Sequence, residues 1–385
     1  MKILIENNHG FWGGGVETFM PILANELYRK GHSVTVVAYY RHRREIRQWL
    51  DSGIRCIRYP FRKPMKEIKW NSARGFADRA LKKLYELVPS TFFDHERYDL
   101  VVALQEGGVM KRALRERADR RVSWIHTDYS NPYRWKYKPI DPSKCAKELA
   151  LMSRFERVFC VSQTVRDAIV ETVGDPGNLC VRRLPIDVNG IREKAGENCP
   201  LSRPKDRPLI LSVCRLSAEK QMLMLLEACE MLSGTLDFEL WIIGDGPERP
   251  KMEAYIAKKG LSFARMLGAQ ANPFPYMRRA DLLVSASMHE SYGLSLREAL
   301  VLGVPVVAVN CRGVRETLDE RYGLLTEDSP AALAEGMRVM LQTPGMAEKY
   351  RETAARELNA EKLYDERLNA ILELLERDPS EASEG

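Results

Sequence analysis

No apolar run in this chain of 385 residues approaches the roughly 20 that a membrane-crossing helix needs. Its opening, Met1-Lys-Ile-Leu-Ile-Glu, holds three consecutive apolar side chains before turning polar, too few for a secretion signal and suited to a first strand. Secretion and membrane insertion are therefore not expected, and a cytoplasmic location is. The eight cysteines (Cys56, Cys145, Cys160, Cys180, Cys199, Cys214, Cys229, Cys311) form no C-x-x-C pair and no Cys/His spacing typical of zinc. They are expected to be reduced, structural thiols. The G-x-G-x-x-G spacing of dinucleotide-binding loops is also missing, because Val16, Glu17 and Thr18 follow Gly13-Gly-Gly15. No repeat of short fixed period occurs.

What is present is the balance of a globular protein, 45% apolar and 29% charged, in a length that suits two α/β domains better than one. The charge is unevenly divided. Residues 1–190 carry 34 Lys and Arg against 22 Asp and Glu, whereas residues 191–385 carry 25 against 31. Residues 41–85 concentrate the excess, with 14 basic and 4 acidic side chains. Such a stretch is either a solvated surface or a patch drawn to an anionic membrane, where each cation contributes about 1 kcal/mol near the headgroups. No recognised nucleic-acid module accompanies the charge, so nucleic acid is not expected as a partner.

Strand-like and helix-like patterns alternate along the chain, the signature of parallel sheets covered by helices. Apolar runs at Ile3–Ile5, Val34–Val37, Leu100–Leu104, Val122–Ile125 and Val158–Val161 suit buried strands, and a second series starts at Leu209–Val213. It continues through Leu240–Ile243, Leu282–Ser285 and Val304–Val309, with helices near 219–232, 248–259, 294–302 and 330–342. The break between the series falls at Leu184-Pro-Ile-Asp-Val-Asn-Gly190 and the polar stretch Glu193–Asp206. Two doubly wound Rossmann-like domains are expected, facing across a cleft, over 1–186 and 187–358. A helix over 359–378 would return to the first domain, and a Ser/Glu-rich tail over 379–385 would be disordered.

Three constellations sit on strand ends of the second series, where ligands of such sheets bind. In His289-Glu-Ser-Tyr-Gly-Leu-Ser-Leu-Arg-Glu298 a loop with Gly293 leads into a helix near Leu294, whose free N–H groups can hold a phosphate. Glu290 stands in the loop and Glu298 one turn into the helix; solvated acids at a polar helix start are the plainer reading. Arg215 and Lys220 follow the strand ending at Val213 and could neutralise a diphosphate, or be surface cations. Gly244-Asp-Gly-Pro247 makes a tight turn where backbone can approach a ligand.

In this order the three resemble the donor domain of the family 4 glycosyltransferases, retaining enzymes of the α/β GT-B fold. The resemblance rests on two glutamates with seven residues between them (Glu290, Glu298), on Arg-x-x-x-x-Lys at Arg215 and Lys220, and on the Gly-Asp-Gly-Pro turn. It implies that Glu290 contacts the donor sugar and Glu298 the nucleotide ribose. It implies too that Arg215 and Lys220 bind the diphosphate, that Gly244 and the loop Ser291, Tyr292, Gly293, Leu294 and Ser295 add backbone contacts, and that Leu267 and Gly268 lie at the nucleobase. In the first half, Gly13-Gly-Gly-Val-Glu17 matches the family's Gly-Gly-x-Glu loop, with Gly14 and Gly15 favoured at the donor phosphate. His126, at the end of Trp124-Ile-His, matches a histidine beside the donor sugar. Asp128 would bind acceptor or cap its loop. Tyr129, Tyr133, Trp135 and Tyr137, alternating with Arg134, Lys136 and Lys138, read as an acceptor loop or a strand edge. Leu184 stands where the family usually has Asn, which implies a changed local hydrogen bond.

The reaction implied is hexose transfer from a nucleoside-diphosphate sugar, UDP favoured, to an acceptor hydroxyl with retained configuration. No cofactor or metal is expected, in keeping with the lack of an Asp-x-Asp pair. The basic first half favours a polyprenyl-diphosphate-linked saccharide as acceptor and a peripheral position on the cytoplasmic face of the membrane. A soluble acceptor, or a catalytically silent sugar-nucleotide-binding protein, are the alternatives.

Overall fold

The computed structural model describes residues 1–7, 15–38, 49–58, 96–132, 134, 140–203, 206–357 and 360–376. The chain divides into two units, one of Met1–Ser130, Lys138–Leu184 and Arg367–Gly385, the other of Asn131–Tyr137 and Pro185–Glu366. The first holds strands β1 (Lys2–Glu6), β2 (Ser33–Ala38), β3 (Arg55–Arg58), β4 (Tyr98–Ala103), β5 (Ala118–Ile125), β6 (Arg157–Cys160) and β7 (Leu179–Val181). They pair in parallel in the order β3-β2-β1-β4-β5-β6-β7. Ile3, Leu4 and Ile5 are fully buried, as are Leu100 to Ala103, because a central parallel strand is covered on both faces.

The second unit repeats the plan with β8 (Leu209–Val213), β9 (Glu239–Ile243), β10 (Ala264–Gly268), β11 (Leu282–Ser285), β12 (Val306–Val309) and β13 (Leu324–Thr326). The order β10-β9-β8-β11-β12-β13 reverses direction between β8 and β11. Alternate residues of one strand enter opposite layers: Leu240 and Ile242 join the core under the helices Met222–Ser233 and Pro330–Gln342, and Trp241 and Ile243 the core under Leu294–Val301. At the reversal the crossovers leave to opposite faces, so the carboxyl ends of β8 and β11 open a crevice.

The segment read as a polar break contains a helix, Val188–Ala195. Asp187 caps it by accepting the Gly190 N–H, and Val188, Ile191 and Ala195 turn one buried face into the unit. That spacing is apolar at positions one, four and eight, short enough to be hidden among the charges around it. The helix expected at 219–232 begins at Met222, after a 3-10 turn at Ala218–Lys220 and a left-handed Gln221. The last helix, Ala360–Glu376, packs Leu368, Ile371, Leu372 and Leu375 inward. Within the first unit Arg120 donates to the Leu375 carbonyl (2.9 Å), and Glu376 accepts from Lys30 and meets His32 Nε2 at 2.9 Å. No helix among the described residues is long and apolar enough to cross a membrane.

Replacing Asp187 by Ala removes a side-chain cap and is expected to lower stability by about 1 kcal/mol, with Asn retaining most of it. Urea unfolding followed by circular dichroism checks this; equal stability of the Ala variant would show the cap to be idle.

Candidate functional site

Two loops meet at the β8/β11 crevice. The first, Cys214–Gln221, is fixed by the neighbouring Gly-Asp-Gly turn: Cys214 N–H donates to Ile243 O (3.1 Å), and Leu216 N–H to Asp245 O (3.0 Å). A Cβ on Gly244 would lie 1.8 Å from the Cys214 carbonyl oxygen, and Gly244 has a φ of 141°. This turn is glycine because it presses on the cation-bearing loop, whereas the sequence suggested an approach to ligand. Arg215 extends from the loop into solvent and donates to Glu219 Oε1 (3.1 Å).

The second loop follows β11. Glu290 Oε1 accepts from Ser287 Oγ (3.0 Å) and from Lys220 Nζ. The Lys220 and Glu290 side chains are only 16% and 14% exposed. Burial works against the Lys220 charge, but the Glu290 carboxylate outweighs it and holds the ammonium above its ordinary range. The Glu290 peptide is seated on the helix Arg312–Leu318, where a Cβ on Gly313 would come within 1.9 Å of the Glu290 carbonyl oxygen. Met288 N–H donates to Glu219 O (3.1 Å), tying one loop to the other. Lys220, Glu290, Ser287, Ser295 and Cys214 line one small cavity.

The helix Leu294–Val301 starts at Gly293 in the left-handed region (φ 62°) with no side-chain cap, so its leading N–H groups lack the acceptor that a Ser or Asp would supply. Tyr292 is buried; its carbonyl accepts from Thr317 Oγ1 (2.6 Å) and its ring carries the Arg297 guanidinium. Ser291 and Leu294 are half-buried. Glu298 is half-buried as well, and no hydrogen bond or ion pair among the described residues engages its carboxylate; burial pushes it up to about 7, with Lys194 pulling the other way. Leu267, on β10, has its carbonyl bonded by Gln270 Nε2 (2.7 Å), and Gly268 O accepts the Gly244 N–H (2.9 Å). Arg215, Gly244, Leu267 and Glu298 do not line the cavity that holds Lys220 and Glu290.

The first unit has its own reversal, between β1 and β4. Glu6 ends β1 in full burial against Arg112 (3.4 Å), and burial pushes its carboxyl up to about 8 despite that partner. His126 follows β5. Its ring bonds the Leu104 carbonyl, its Nε2 is buried without a partner, and burial brings it down to about 4 against the pull of Glu106. The imidazole is therefore neutral near pH 7, with the Nε2 lone pair free to accept. Glu106 accepts the His126 N–H (3.3 Å) and the Thr127 hydroxyl. Sequence reading passed over Glu106, although an acid directly before Gly107-Gly108 at a strand end was a usable signal. Nothing in the sequence marks Glu219, a single acid beside Lys220.

Asp128 is buried and accepts from the Ser130 N–H and hydroxyl (2.9 and 2.6 Å), the arrangement of a loop cap. Tyr129 is fully buried and donates to Glu148 (3.0 Å), so it belongs to the core and offers no exposed face for stacking, contrary to the acceptor-loop reading. Leu184 is buried and its carbonyl accepts from Arg367 (3.3 Å). Gly15 opens the helix Gly15–Arg29. Gly14, Tyr133, Trp135, Lys136, Tyr137 and Lys138 lie outside the described residues, as does the basic stretch 41–85 apart from residues 49–58.

Comparison with known proteins matches residues 13–189 to the family model described as Glycosyltransferase Family 4 and residues 198–357 to that described as Glycosyl transferases group 1. The lipopolysaccharide core biosynthesis glycosyltransferase LpsE of Rhizobium meliloti is 26% identical over 70% of this chain and 79% of its own length. A Campylobacter jejuni enzyme, N-acetylgalactosamine-N,N'-diacetylbacillosaminyl-diphospho-undecaprenol 4-alpha-N-acetylgalactosaminyltransferase, is 32% identical over 44% of this chain, and the match spans 46% of that enzyme. Among solved structures, Anabaena HepE in complex with UDP and glucose superposes with a TM-score of 0.72 at 19% identity, covering 97% of this chain and 100% of that one.

A carboxyl near 7 in the folded chain and near 4.5 when unfolded binds its proton more tightly in the fold. Glu298 therefore subtracts stability as pH rises from about 4.5, levelling off above about 7. Glu298→Gln is expected to gain on the wild-type chain across that window in urea unfolding at pH 5 and pH 8; a constant difference between them would refute the shift.

Proposed function

Because the chain belongs to the family 4 glycosyltransferases of the GT-B fold, we propose that it moves a hexose from a nucleoside-diphosphate sugar to an acceptor hydroxyl with retention of configuration. The observation that supports this most is the Lys220–Glu290 pair at the strand-order reversal. The two charges satisfy each other, and a sugar diphosphate offers each a better partner. The diphosphate takes Lys220 and Arg215, and the freed Glu290 accepts sugar hydroxyls while Ser287 holds its oxygen. As the bond from sugar to diphosphate breaks, charge grows on the departing phosphate, where Lys220, Arg215 and the leading N–H groups of Leu294–Val301 meet it. These fixed cations are why the proposal invokes no metal. Glu298 accepts from the ribose. His126 offers a neutral imidazole acceptor at Nε2 in the first unit, and the departing phosphate takes the acceptor's proton.

UDP is the favoured nucleotide, a choice that the UDP held by HepE supports. The diphospho-undecaprenol named in the Campylobacter enzyme supports a polyprenyl-diphosphate-linked saccharide as acceptor, in the assembly of a surface glycan. The excess of 14 basic over 4 acidic side chains in residues 41–85 supports a peripheral seat on an anionic membrane.

Glu290→Gln is expected to lower kcat for transfer from UDP-sugar by about 10²–10³, as loss of a transition-state contact does. Glu298→Ala is expected to raise the Kd for UDP about tenfold with a smaller effect on kcat. Radiolabelled transfer and calorimetry check both, and full activity in the two variants would remove the site assignment. The chain should also co-sediment with anionic vesicles and not with neutral ones, and charge reversal at Arg43, Arg44 and Lys63 should release it. Equal binding to both vesicle types, or none, would end the membrane reading.

A further inference from the structure

We infer that Glu219 is a positioning residue that aims Arg215 at the donor diphosphate and braces the loop of Glu290, an inference that rests on the donor-site reading above. The Arg215 side chain is 65% exposed, and a long exposed cation in an ordinary surface pair is held weakly. Glu219 is a different kind of partner. Its side chain is 12% exposed, and Oε1 accepts from both Ser217 Oγ (2.6 Å) and Arg215 Nη2 (3.1 Å). The Ser217 bond fixes the carboxylate, so the guanidinium docks against an oxygen that does not itself move. Burial raises the Glu219 carboxyl, but its bonds from Ser217, its own N–H and Arg215 leave it below the usual range, charged at neutral pH.

The same residue reaches the other loop by a second route. Its carbonyl accepts the Met288 N–H, two residues before Glu290, while Lys220, the next residue, pairs with Glu290 itself. Consecutive residues thus tether one loop to the other, through backbone at 219 and through side chain at 220. Gln221 closes the segment in a left-handed conformation (φ 46°) that a non-glycine residue adopts only when its surroundings require it. The 3-10 turn Ala218–Lys220 accordingly presents the Glu219 carboxylate to Arg215 and the Lys220 ammonium to Glu290.

A calorimetric double-mutant cycle on the full chain tests this, with UDP and UMP as probes of the wild type, Arg215→Ala, Glu219→Ala and the double variant. Glu219→Ala is expected to weaken UDP about tenfold and UMP far less, and to add less than about twofold once Arg215 is gone. Glu219→Gln, whose amide oxygen still accepts from both partners, should recover most of the UDP affinity. Should the Ala variant fail to fold, Glu219→Met takes its place, similar in length but without the oxygen. Effects that multiply in the double variant, or an equal loss of UDP and UMP, would show a merely structural role and overturn the inference. If Arg215→Ala leaves UDP binding unchanged, the donor-site reading itself fails, and this inference with it.

Discussion

A largely shielded ammonium and carboxylate, Lys220 and Glu290, pair where the second sheet reverses its strand order. Neither could stand there alone, since an unpaired ion in such a place costs several kcal/mol. Much of the surrounding backbone serves to bring the two together. β8 and β11 are sheet neighbours although about 70 residues separate them in the chain, and only that adjacency sets their loops side by side. Gly244 gives way to the Cys214 backbone behind Lys220, and Gly313 gives way to the Glu290 carbonyl behind the carboxylate. The missing side chains are as much a part of the site as the charged ones.

The two reversals differ in electrostatic character. In the second unit a cation meets an anion, and a helix start without a capping side chain adds N–H groups. In the first, His126 is kept neutral by burial, and its unpartnered nitrogen is an acceptor. Burial drives both Glu298 and His126 toward the uncharged form, one upward and one downward.

The central strands were plain in the sequence because burial on both faces demands a continuous apolar run, as in Lys2-Ile-Leu-Ile-Glu6 or Glu239-Leu-Trp-Ile-Ile243. Edge strands were not: Arg55-Cys-Ile-Arg58 and Leu179-Cys-Val181 are short and incompletely covered, and no pattern sets them apart from loop. Motif spacing pointed to Arg215, Lys220 and Glu290, but spacing is silent on what a side chain touches. It did not reveal that Glu219 accepts from both Arg215 and Ser217, nor that Tyr129 is buried beneath Glu148 rather than displayed. Those facts arise from contacts between residues distant in sequence or from a local turn that propensity does not encode. Asp187 marks the intermediate case: a capping residue whose meaning was obscured by the charged residues that follow it.

The helix Ala360–Glu376, from Arg367 on, closes the first unit with residues drawn from the far end of the described chain. Leu372 and Leu375 enter its core, and the carbonyl of Leu375 takes the guanidinium of Arg120. A ribosome releases the amino-terminal sheet some two hundred residues before it releases the helix that completes it. In the interval nearly all of the second unit emerges, up to the helix whose first residues it shares. The earlier-born half must wait for the buried side chains Leu368, Ile371, Leu372 and Leu375, and any truncation that removes the last helix leaves their places in the core unfilled.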